Sequence, residues 1–401
     1  NELHGAVFGY FRNDDLARRT PFLLESPYER AQFGFAVGGP IARDRAHFFV
    51  ATELQRLSGP AQGPYVGQDP GSAVPLPVSV TDVARFTSVL RDSFQVASGS
   101  AGRVSVGNPL VNLFTRVDVA WPRRRSRLVV WDNHSRTDNI VFARGTSTSF
   151  LTRGSLAFPL SGTAYTSAVV KNVAAAQLYT QVGRGGLNEL AIGFKVQPSR
   201  STPEERAPAI SVAAARADAP GTVYLEAGTN EAAHGISTGQ TSIEIADNLT
   251  LALGSRHRAG FGLRAEVFEV LGVGLPGTYG SWVFANLDSL ERGVALRYRL
   301  VKQFDPPPVL RGVHYSVYAG DEWRVTDRLA LVFGLRADVV SLRGRAPYNA
   351  AVDSLFGRST SDAPPPRLHW SPRIGFRWDM TGDGRSRLQG GAGVFVGRPP
   401  I

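Results

Sequence analysis

The sequence predicts an all-β fold, an antiparallel transmembrane β-barrel with short turns at one end and long loops at the other. Three observations predict it. Many stretches alternate apolar and polar residues, the connections between them alternate short and long, and turn-forming Gly (43) and Pro (26) are abundant. Alternation alone fits either a soluble sheet or a membrane barrel, since both have one apolar and one polar face. The connections favour the barrel, because membrane barrels carry short turns on one side and long loops on the other.

The segment 321–338 shows the alternation most clearly. After the turn Thr326-Asp327, apolar side chains occupy every second position as far as Ala337, and the intervening positions include Arg336 and Asp338. A period of two is typical of a β-strand. In a barrel, the apolar set faces lipid and Arg336 and Asp338 face the lumen. The lipid-facing stripe would consist of Leu329, Leu331, Phe333, Leu335 and Ala337.

Composition limits the classes of protein that fit. The chain of 401 residues has no Cys, which excludes disulfides and thiolate metal sites and suits passage through an oxidising compartment. No run of 18 apolar residues is present, so we expect no transmembrane helix. The net charge of +10 comes mainly from Arg. These residues are dispersed and no nucleic-acid-binding motif accompanies them, so we expect basic residues spread over turns and loops and no nucleic-acid partner. A basic rim would also suit an anionic lipid surface.

About fifteen strands can be assigned in order along the chain. Short turns join the second strand to the third, the fourth to the fifth, and so on, whereas most other connections are long. The long loops are predicted to hold a helix near Thr81–Ser93, a helical turn at Leu287–Arg292 and a small hairpin at Ala209–Ala214 and Thr222–Ala227. The predicted strands are His4–Arg12, Gln32–Gly39, Ala46–Leu54, Asn112–Trp121, Arg127–His134, one within Ser167–Val182, Asn188–Gln197, Thr241–Leu253, Arg258–Val270, Ser281–Asn286, Val294–Val301, His314–Val325, Arg328–Ser341, Ser371–Asp379 and Ser386–Val396.

Several short motifs, in this order along the chain, resemble one family, the TonB-dependent outer-membrane receptors of the Oar-like group, which often carry a carboxypeptidase-regulatory-like domain. The motifs span nearly the whole chain. They are Asn1-Glu2-Leu3-His4-Gly5 with Phe11-Arg12-Asn13-Asp14, Gln32-Phe33-Gly34 with Gly38-Gly39-Pro40-Ile41, Arg43-Asp44-Arg45 with Phe48-Phe49, Asn188-Glu189-Leu190, Asp247-Asn248-Leu249-Thr250, Asp321-Glu322-Trp323-Arg324-Val325, Ser371-Pro372-Arg373-Ile374-Gly375-Phe376, Gly382-Asp383-Gly384, and Gly390-Gly391 with Phe395.

The resemblance implies a barrel of 22 strands in the outer membrane of a Gram-negative-type bacterium, filled by an N-terminal plug and energised by TonB. The loops would then be extracellular and the turns periplasmic. This chain shows neither plug nor TonB box before Asn1, and it ends at Ile401 before all the strands are present. We therefore expect residues 1–401 to be a partial outer-membrane β-barrel domain. Its implied partners are outer-membrane lipid or lipopolysaccharide, the TonB complex through the plug, and an unknown ligand.

The candidate binding residues are charged side chains at the strand positions that alternate with the apolar ones and would face the lumen. They could line a substrate path, or they could form ion pairs in the lumen and with a plug. Long loops such as Leu57–Asn108 and Ser135–Gly162 are the usual place for ligand capture, but nothing in them specifies a ligand. The candidates are Arg116, Asp118, Arg297, Arg299, Arg336 and Asp338.

Motifs for other chemistry are weak, so we expect no enzyme, no cofactor and no metal site. The segment Asp379–Gly384 resembles the start of a calcium loop, but Gly390 stands where a bidentate Glu is needed, which favours a hairpin turn. The seven His are scattered without a His-Glu-x-x-His pair, and no Gly-x-Ser-x-Gly elbow or P-loop is present. The glycines of Gly390–Gly393 fit a strand better than a phosphate cradle.

Three functions remain open at this point. The favoured one is a receptor and transporter that takes up a siderophore, an oligosaccharide or a peptide into the periplasm. The second is a surface or adhesion protein anchored by the barrel, without active transport. The third is a secreted all-β binding protein, in which residues such as Leu331, Phe333 and Leu335 would pack on a protein core.

Overall fold

Two β-sheets of very different size make up the fold. The computed structural model describes residues 2–16, 28–61, 63–68, 74–144, 152, 154–303, 307, 309–344 and 347–397. Within these ranges, one sheet has 14 strands and is antiparallel, and the other has five strands and is mixed. No helix of the described residues is long and apolar enough to cross a membrane.

The large sheet is a meander in which each strand pairs with the next long strand of the chain. Strands β1 and β19 form its two edges, and the short strand β4 (Ser105–Gly107) pairs with β3 beside the main path. In sheet order the strands are β1 (His4–Asn13), β2 (Glu29–Ala42), β3 (Ala46–Pro60), β5 (Leu110–Trp121), β6 (Ser126–Val141), β8 (Tyr165–Val182), β9 (Gly186–Pro203), β12 (Ser237–Leu253), β13 (His257–Val273), β16 (Val309–Arg324), β17 (Leu329–Arg343), β18 (Arg367–Asp379) and β19 (Arg387–Gly393).

Tight turns join alternate pairs of these strands, and local chemistry explains them. Gly183 and Gly254 have positive φ in the β8–β9 and β12–β13 turns, where a residue without Cβ is favoured. In the β16–β17 turn, the hydroxyl of Thr326 accepts hydrogen bonds from the backbone N–H groups of Arg328 (3.2 Å) and Leu329 (3.0 Å). The predicted alternation of short and long connections is therefore confirmed.

Side chains separate by chemistry onto the two faces of the large sheet. Directly opposed residues of antiparallel strands share a face, so a row of register partners samples one face. One row across nine strands contains only apolar and aromatic residues: Val117, Val130, Ala176, Ile192, Ile245, Ala265, Tyr315, Val339 and Leu368. The neighbouring row, on the other face, contains Arg116, Trp131, Ala175, Gly193, Glu244, Glu266, His314, Val340 and Arg367. We call these the apolar face and the polar face.

The apolar face carries aromatic side chains at two levels. Tyr315 and Trp323 lie on β16, and Trp370 and Trp378 lie on β18, each pair eight residues apart on the same face. Eight residues span about 27 Å along a strand. A strand tilted by about 40° would then cross roughly 21 Å, close to the thickness of the apolar band of a membrane barrel between its aromatic girdles.

The strands of the large sheet are called the wall strands below, and the large sheet the wall. The long connections between the wall strands build a second folded unit, which we call the loop module. Its sheet has the strand order β15-β14-β10-β11-β7, with parallel pairing of β10 with β14 and of β11 with β7. The elements within the long connections are α1 (Val80–Phe94), β7 (Ala157–Pro159), β10 (Ala209–Ala215), β11 (Thr222–Ala227), β14 (Ser281–Phe284), α2 (Leu287–Glu291), β15 (Arg297–Arg299) and, in the β17–β18 connection, α3 (Ala350–Phe356).

The loop module has its own hydrophobic core. Helices α1 and α2 pack on one face of the small sheet and bury Phe86, Leu90 and Leu290 completely. From the sheet, Val212, Leu225 and Phe158 are also fully buried. A core drawn from four connections of the chain distinguishes this unit from a set of independent surface loops.

Thirteen of the fifteen predicted strands are wall strands, and two are not. The alternation in Ser281–Asn286 and Val294–Val301 predicts two barrel strands, but the structure places β14 and β15 in the small sheet. The prediction was wrong because alternation is equally typical of an edge strand in any sheet. The predicted helix at Thr81–Ser93, the hairpin of β10 and β11, and the helical turn at Leu287–Arg292 are confirmed.

Candidate functional site

The polar face brings together four of the six candidate residues, in two clusters. On β5, the Arg116 Nε donates to Asp118 Oδ2 at 2.7 Å. Arg127 of β6 also donates to Asp118, with a 3.0 Å bond from Nε to Oδ1. Asp118 therefore carries two cationic partners, and this cluster has an excess of positive charge. Phe114 and Trp131 lie beside it on the same face, with their rings 6.3 Å apart.

The second cluster surrounds Asp338 of β17. Arg336 Nε donates to Asp338 Oδ2 at 2.9 Å, and His314 Nε2 lies 2.9 Å from Oδ1. Arg336 also donates to the hydroxyl of Ser316 at 2.9 Å. Asp338 is only 7% exposed, so its charge depends on these partners for stabilisation.

Arg264 of β13 extends this second cluster across the sheet. Its Nη2 atom donates to Glu244 Oε2 at 2.5 Å and to Glu266 Oε2 at 3.0 Å. A cavity of ≈ 820 Å³ lies next to it, lined by Arg264, Arg336 and Asp338 among others. A cavity of this size is within the range of small-molecule sites. The clusters fit ion pairing within a lumen, and their role in binding a ligand stays a prediction.

Arg297 and Arg299 occupy a different place from the one predicted. They belong to β15, at the edge of the small sheet, and not to the wall. Arg299 Nη1 lies 4.0 Å from Glu231 Oε2 in the β9–β12 connection. Their predicted place on the inward face depends on a barrel strand at Val294–Val301, so one wrong strand prediction accounts for both residues.

Two buried residues that no sequence pattern indicates hold the loop module together. The first is Arg144, 3% exposed, whose guanidinium donates four hydrogen bonds to backbone carbonyls between 2.6 and 3.0 Å. The acceptors are Ser100, Ala101, Gly102 and Pro159, so one side chain joins the β3–β5 and β6–β8 connections. Burial lowers the pKa of Arg144 to about 10. Its guanidinium stays charged at neutral pH.

The second is His234, which is fully buried. Its Nδ1 atom accepts hydrogen bonds from the backbone N–H groups of Gly277 at 3.1 Å and Tyr279 at 3.4 Å. Nε2 must then carry the proton and donate to the carbonyl of Thr229 at 3.0 Å. Burial lowers the pKa of His234 below its ordinary value. A neutral His234 thus links the β9–β12 connection to the β13–β16 connection.

An exposed ion-pair cluster joins the two helices of the module. Arg85 of α1 donates to Glu291 at 2.7 Å and to Asp288 at 2.6 Å on α2. These hydrogen bonds lower the pKa of both carboxyl groups. Because all three side chains are exposed, we expect the cluster to orient the helices more than to stabilise them.

The turn that resembles the start of a calcium loop is a hairpin turn. Asp379 accepts hydrogen bonds from the backbone N–H groups of Gly382 at 2.9 Å and Gly384 at 3.0 Å. Both glycines have positive φ, as a tight turn requires. Within the described ranges, no group of three or more His, Asp or Glu side chains could hold a metal ion.

Comparison with known proteins gives a family match. A family model described as an outer membrane beta barrel domain matches residues 1–66 and 161–401, which is well over half of the chain. A sequence search of curated proteins gives no match.

Solved structures with a similar fold cover nearly the whole chain. The outer membrane transporter YddB from Escherichia coli has a TM-score of 0.56 and 13% identity, over 92% of this chain and 38% of that chain. The siderophore receptor PirA from Acinetobacter baumannii has a TM-score of 0.53 and 13% identity, over 98% and 43%. A mutant of the ferric enterobactin receptor PfeA from Pseudomonas aeruginosa has a TM-score of 0.53 and 12% identity, over 98% and 43%. The likeness at this identity is one of fold. The chain spans about two fifths of the length of these proteins.

Proposed function

We propose, because this chain belongs to the outer membrane beta barrel domain family, that it forms the wall and the loop face of an outer-membrane receptor that takes up a ligand. The observation that carries the proposal is the separation of chemistry between the two faces of the large sheet. A row of nine apolar residues faces one way, and a row with five charged or ionisable side chains faces the other. Lipid on one side and an aqueous lumen on the other account for both rows.

The location in the cell outer membrane follows from the family and from the outer membrane transporters among proteins of similar fold. Lipid, including lipopolysaccharide, is the partner of the apolar face. The aromatic levels at Tyr315 and Trp323 would lie at the two interfaces of the membrane, where aromatic rings are favoured.

The finer assignment is a TonB-dependent receptor of the Oar-like group. Its support is the order of the motifs along the chain, together with the similarity of the fold to a siderophore receptor and a ferric enterobactin receptor. In this proposal, residues 1–401 are part of a larger barrel domain, and a plug outside this sequence contacts TonB. The ligand would be a siderophore, an oligosaccharide or a peptide.

Capture of the ligand would begin at the loop module. It sits at the end of the sheet opposite the tight turns, and its rigid core would present a defined surface to the outside. From there the ligand would pass along the polar face, where Arg116, Asp118, Arg336 and Asp338 are the candidate contacts. Arg297 and Arg299 would act in the module and not in the lumen. The proposal assigns no catalytic step and no cofactor.

Fractionation of cells that express the full-length protein tests the location, and uptake with and without TonB tests the transport. We expect the protein in the outer-membrane fraction. Deletion of the receptor should cause a defect in growth or uptake, and deletion of TonB should cause the same defect. Recovery of the protein in the soluble fraction would contradict the membrane location, and with it the proposed function.

A second candidate function is a surface or adhesion protein that uses the barrel only as an anchor. The folded loop module is the observation in its favour, since a compact surface unit can bind a partner without transport. In that case the protein would reach the outer membrane, and removal of TonB would leave its function unchanged.

A further inference from the structure

Positive charge is concentrated in the tight turns of the large sheet. Six tight turns join β2 to β3, β5 to β6, β8 to β9, β12 to β13, β16 to β17 and β18 to β19, and every one contains arginine. The β5–β6 turn has three (Arg123, Arg124 and Arg125), the β2–β3 turn has two (Arg43 and Arg45), and each of the others has one. We call these nine residues the turn arginines. All of them are exposed.

The charge balance differs between the two ends of the sheet. The six tight turns contain nine arginines and three aspartates, a net charge of +6 in 24 residues. The six long connections between wall strands contain 15 basic and 16 acidic residues. More than half of the chain's net charge of +10 therefore lies at the tight-turn end.

Carboxylates close to the turns do not neutralise this charge. Asp118 pairs with strand arginines such as Arg127, and Asp379 accepts hydrogen bonds from backbone N–H groups of its own turn. Asp383 pairs with one turn arginine, Arg385, at 3.3 Å. Among the residues that the structure describes, the other eight turn arginines form no ion pair. Their guanidinium groups can therefore bind an anion from outside the chain.

Tryptophan side chains indicate the depth of the turns in a membrane. Trp121, Trp323 and Trp378 lie on the apolar face, each at the last or second-last position of its strand before a tight turn. Their side chains are 36–43% exposed, so lipid can contact them. Tryptophan is favoured where the hydrocarbon meets the headgroups. This level therefore marks the edge of the hydrocarbon at the tight-turn end.

The turn arginines then lie at the depth of the lipid headgroups. A residue three positions beyond the tryptophan level is about 10 Å further along the strand, or about 8 Å along the membrane normal for a strand tilted by about 40°. The headgroup layer is about 5–8 Å thick on each side of the hydrocarbon. A long arginine side chain can also reach back toward this layer.

We propose that the turn arginines bind the phosphate groups of anionic phospholipids, such as phosphatidylglycerol, in the membrane leaflet next to the tight turns. Guanidinium groups bind phosphate oxygens in a bidentate manner, and the acyl chains would continue along the apolar face. The six turns join twelve strands of the large sheet, and this distribution favours a shell of lipid over a protein partner that contacts one patch. In the proposed orientation of the sheet, this leaflet is periplasmic.

The test is the association of spin-labelled lipids with the full-length protein in phosphatidylcholine vesicles, measured by electron paramagnetic resonance. At low salt, spin-labelled phosphatidylglycerol should associate about threefold more strongly than spin-labelled phosphatidylcholine, since arginines near a membrane surface attract anionic lipid. At about 1 M salt the preference should fall, because charges are then screened within about 3 Å.

Substitutions in the turns should reduce this preference. Replacement of three turn arginines by glutamine removes half of the net charge of the turns, and we expect the preference for phosphatidylglycerol to fall about twofold. The variant combines Arg123→Gln, Arg124→Gln and Arg125→Gln. A second variant, with the same expected loss, excludes a folding defect of one turn as the cause, and it combines Arg43→Gln, Arg45→Gln and Arg184→Gln.

The matched control removes the same charge from the long connections. It combines three exposed arginines as Arg206→Gln, Arg292→Gln and Arg358→Gln. Because these residues lie at the opposite end of the sheet, the preference for phosphatidylglycerol should equal that of the wild type.

Three results would overturn the inference. The first is equal association of the two lipids with the wild type, and the second is a loss in the control as large as in the turn variants. The third is sedimentation with purified peptidoglycan that the turn variants abolish, without a lipid preference in the wild type, which would assign the turn arginines to the anionic cell wall. Binding of lipid needs neither TonB nor a ligand. Failure of the proposed function would instead appear as loss of uptake while the lipid preference persists.

Discussion

At the scale of single residues, charges pair in a recurrent local pattern. Arg-x-Asp forms an ion pair of 3.0 Å or less within one strand at Arg116–Asp118, Arg136–Asp138 and Arg336–Asp338. At Arg377–Asp379 of β18, the arginine pairs with Glu322 of β16 instead. Residues i and i+2 of a strand point to the same face, about 7 Å apart, which an arginine side chain can bridge. Strand periodicity therefore predicts that Arg116 and Asp118, and likewise Arg336 and Asp338, share a face of the sheet, whereas the partner that each arginine takes depends on the neighbouring strands.

The buried residues of the loop module could not be predicted in this way. Arg144 contacts carbonyls more than 40 residues earlier in the chain. Its role depends on where two loops meet, and its own sequence neighbourhood contains no signal for it. His234 is likewise defined by its contacts with Gly277 and Tyr279, which a scattered His in the sequence does not indicate.

Replacing the buried guanidinium should loosen the loop module. Arg144→Met keeps much of the side-chain volume but leaves four carbonyls without their donor, and we expect a loss of roughly 3 kcal/mol in the stability of the module. Limited proteolysis of the full-length protein would measure it as faster cleavage near residues 97–104. Arg103→Met is the control, since Arg103 is exposed in the same connection and should change stability by less than about 0.5 kcal/mol. Equal effects of the two variants would contradict a stabilising role for the hydrogen bonds of Arg144.

The link through His234 should weaken in acid. Burial lowers the pKa of His234, and this outweighs the nearby carboxylate of Glu231, which favours the protonated form. Because the folded pKa lies below the unfolded value of about 6.5, the stabilisation is complete above pH 6.5 and is lost as the pH falls below it. Protonation of Nδ1 would also place an N–H against two backbone N–H donors.

Hydrogen exchange of the amides at 277 and 279 is the measurement. After correction for intrinsic rates, their protection should fall between pH 7 and pH 5, while the amides of β12 and β13 stay protected. A His234→Gln variant should lose the pH dependence. Unchanged protection of the wild type across this range would be the contrary outcome.

At the scale of elements, the strands β16 and β17 show how far periodicity predicts structure. The predicted hairpin of His314–Val325 and Arg328–Ser341 is confirmed, and so is the assignment of Leu335 and Arg336 to opposite faces. The segment Val294–Val301 has an equally regular pattern, yet its strand lies in the small sheet. Periodicity predicts that a segment forms a strand, but it does not predict which sheet the strand joins.

Depth in the membrane should decide the cost of a charge on the apolar face of β17. Leu335 is in register with Ala319, midway between Tyr315 and Trp323, whereas Leu331 is in register with Trp323 itself. We expect Leu335→Arg to destabilise the folded protein in lipid by about 2–4 kcal/mol and Leu331→Arg by about 0–1 kcal/mol. Unfolding by denaturant in lipid vesicles would measure the difference. If this face packed on a protein core, both variants would be strongly destabilised.

At the scale of the whole molecule, the alternation of connections predicts the orientation of the sheet. All the tight turns lie at one end and the loop module at the other, so a membrane should separate them. Since the chain has no Cys, single cysteines can report on this directly. Ala217→Cys lies in the exposed β10–β11 turn of the module, and Arg184→Cys lies in the exposed β8–β9 turn.

In intact cells, an impermeant maleimide should label the cysteine at position 217 and not the one at 184. The latter should react only after the outer membrane is made permeable. Labelling of both positions in intact cells would mean that the sheet does not separate two compartments.

The sequence by itself determined the antiparallel meander, the two faces of its strands and the alternation of turns and loops. These depend on side-chain period and turn chemistry, which act between neighbours in the chain. Only the tertiary structure decided that four loops share one core and that β14 and β15 belong to the small sheet. Parallel pairs such as β7 with β11 join segments more than 60 residues apart, and the free energy that holds them comes from burial across the module, which no local pattern records.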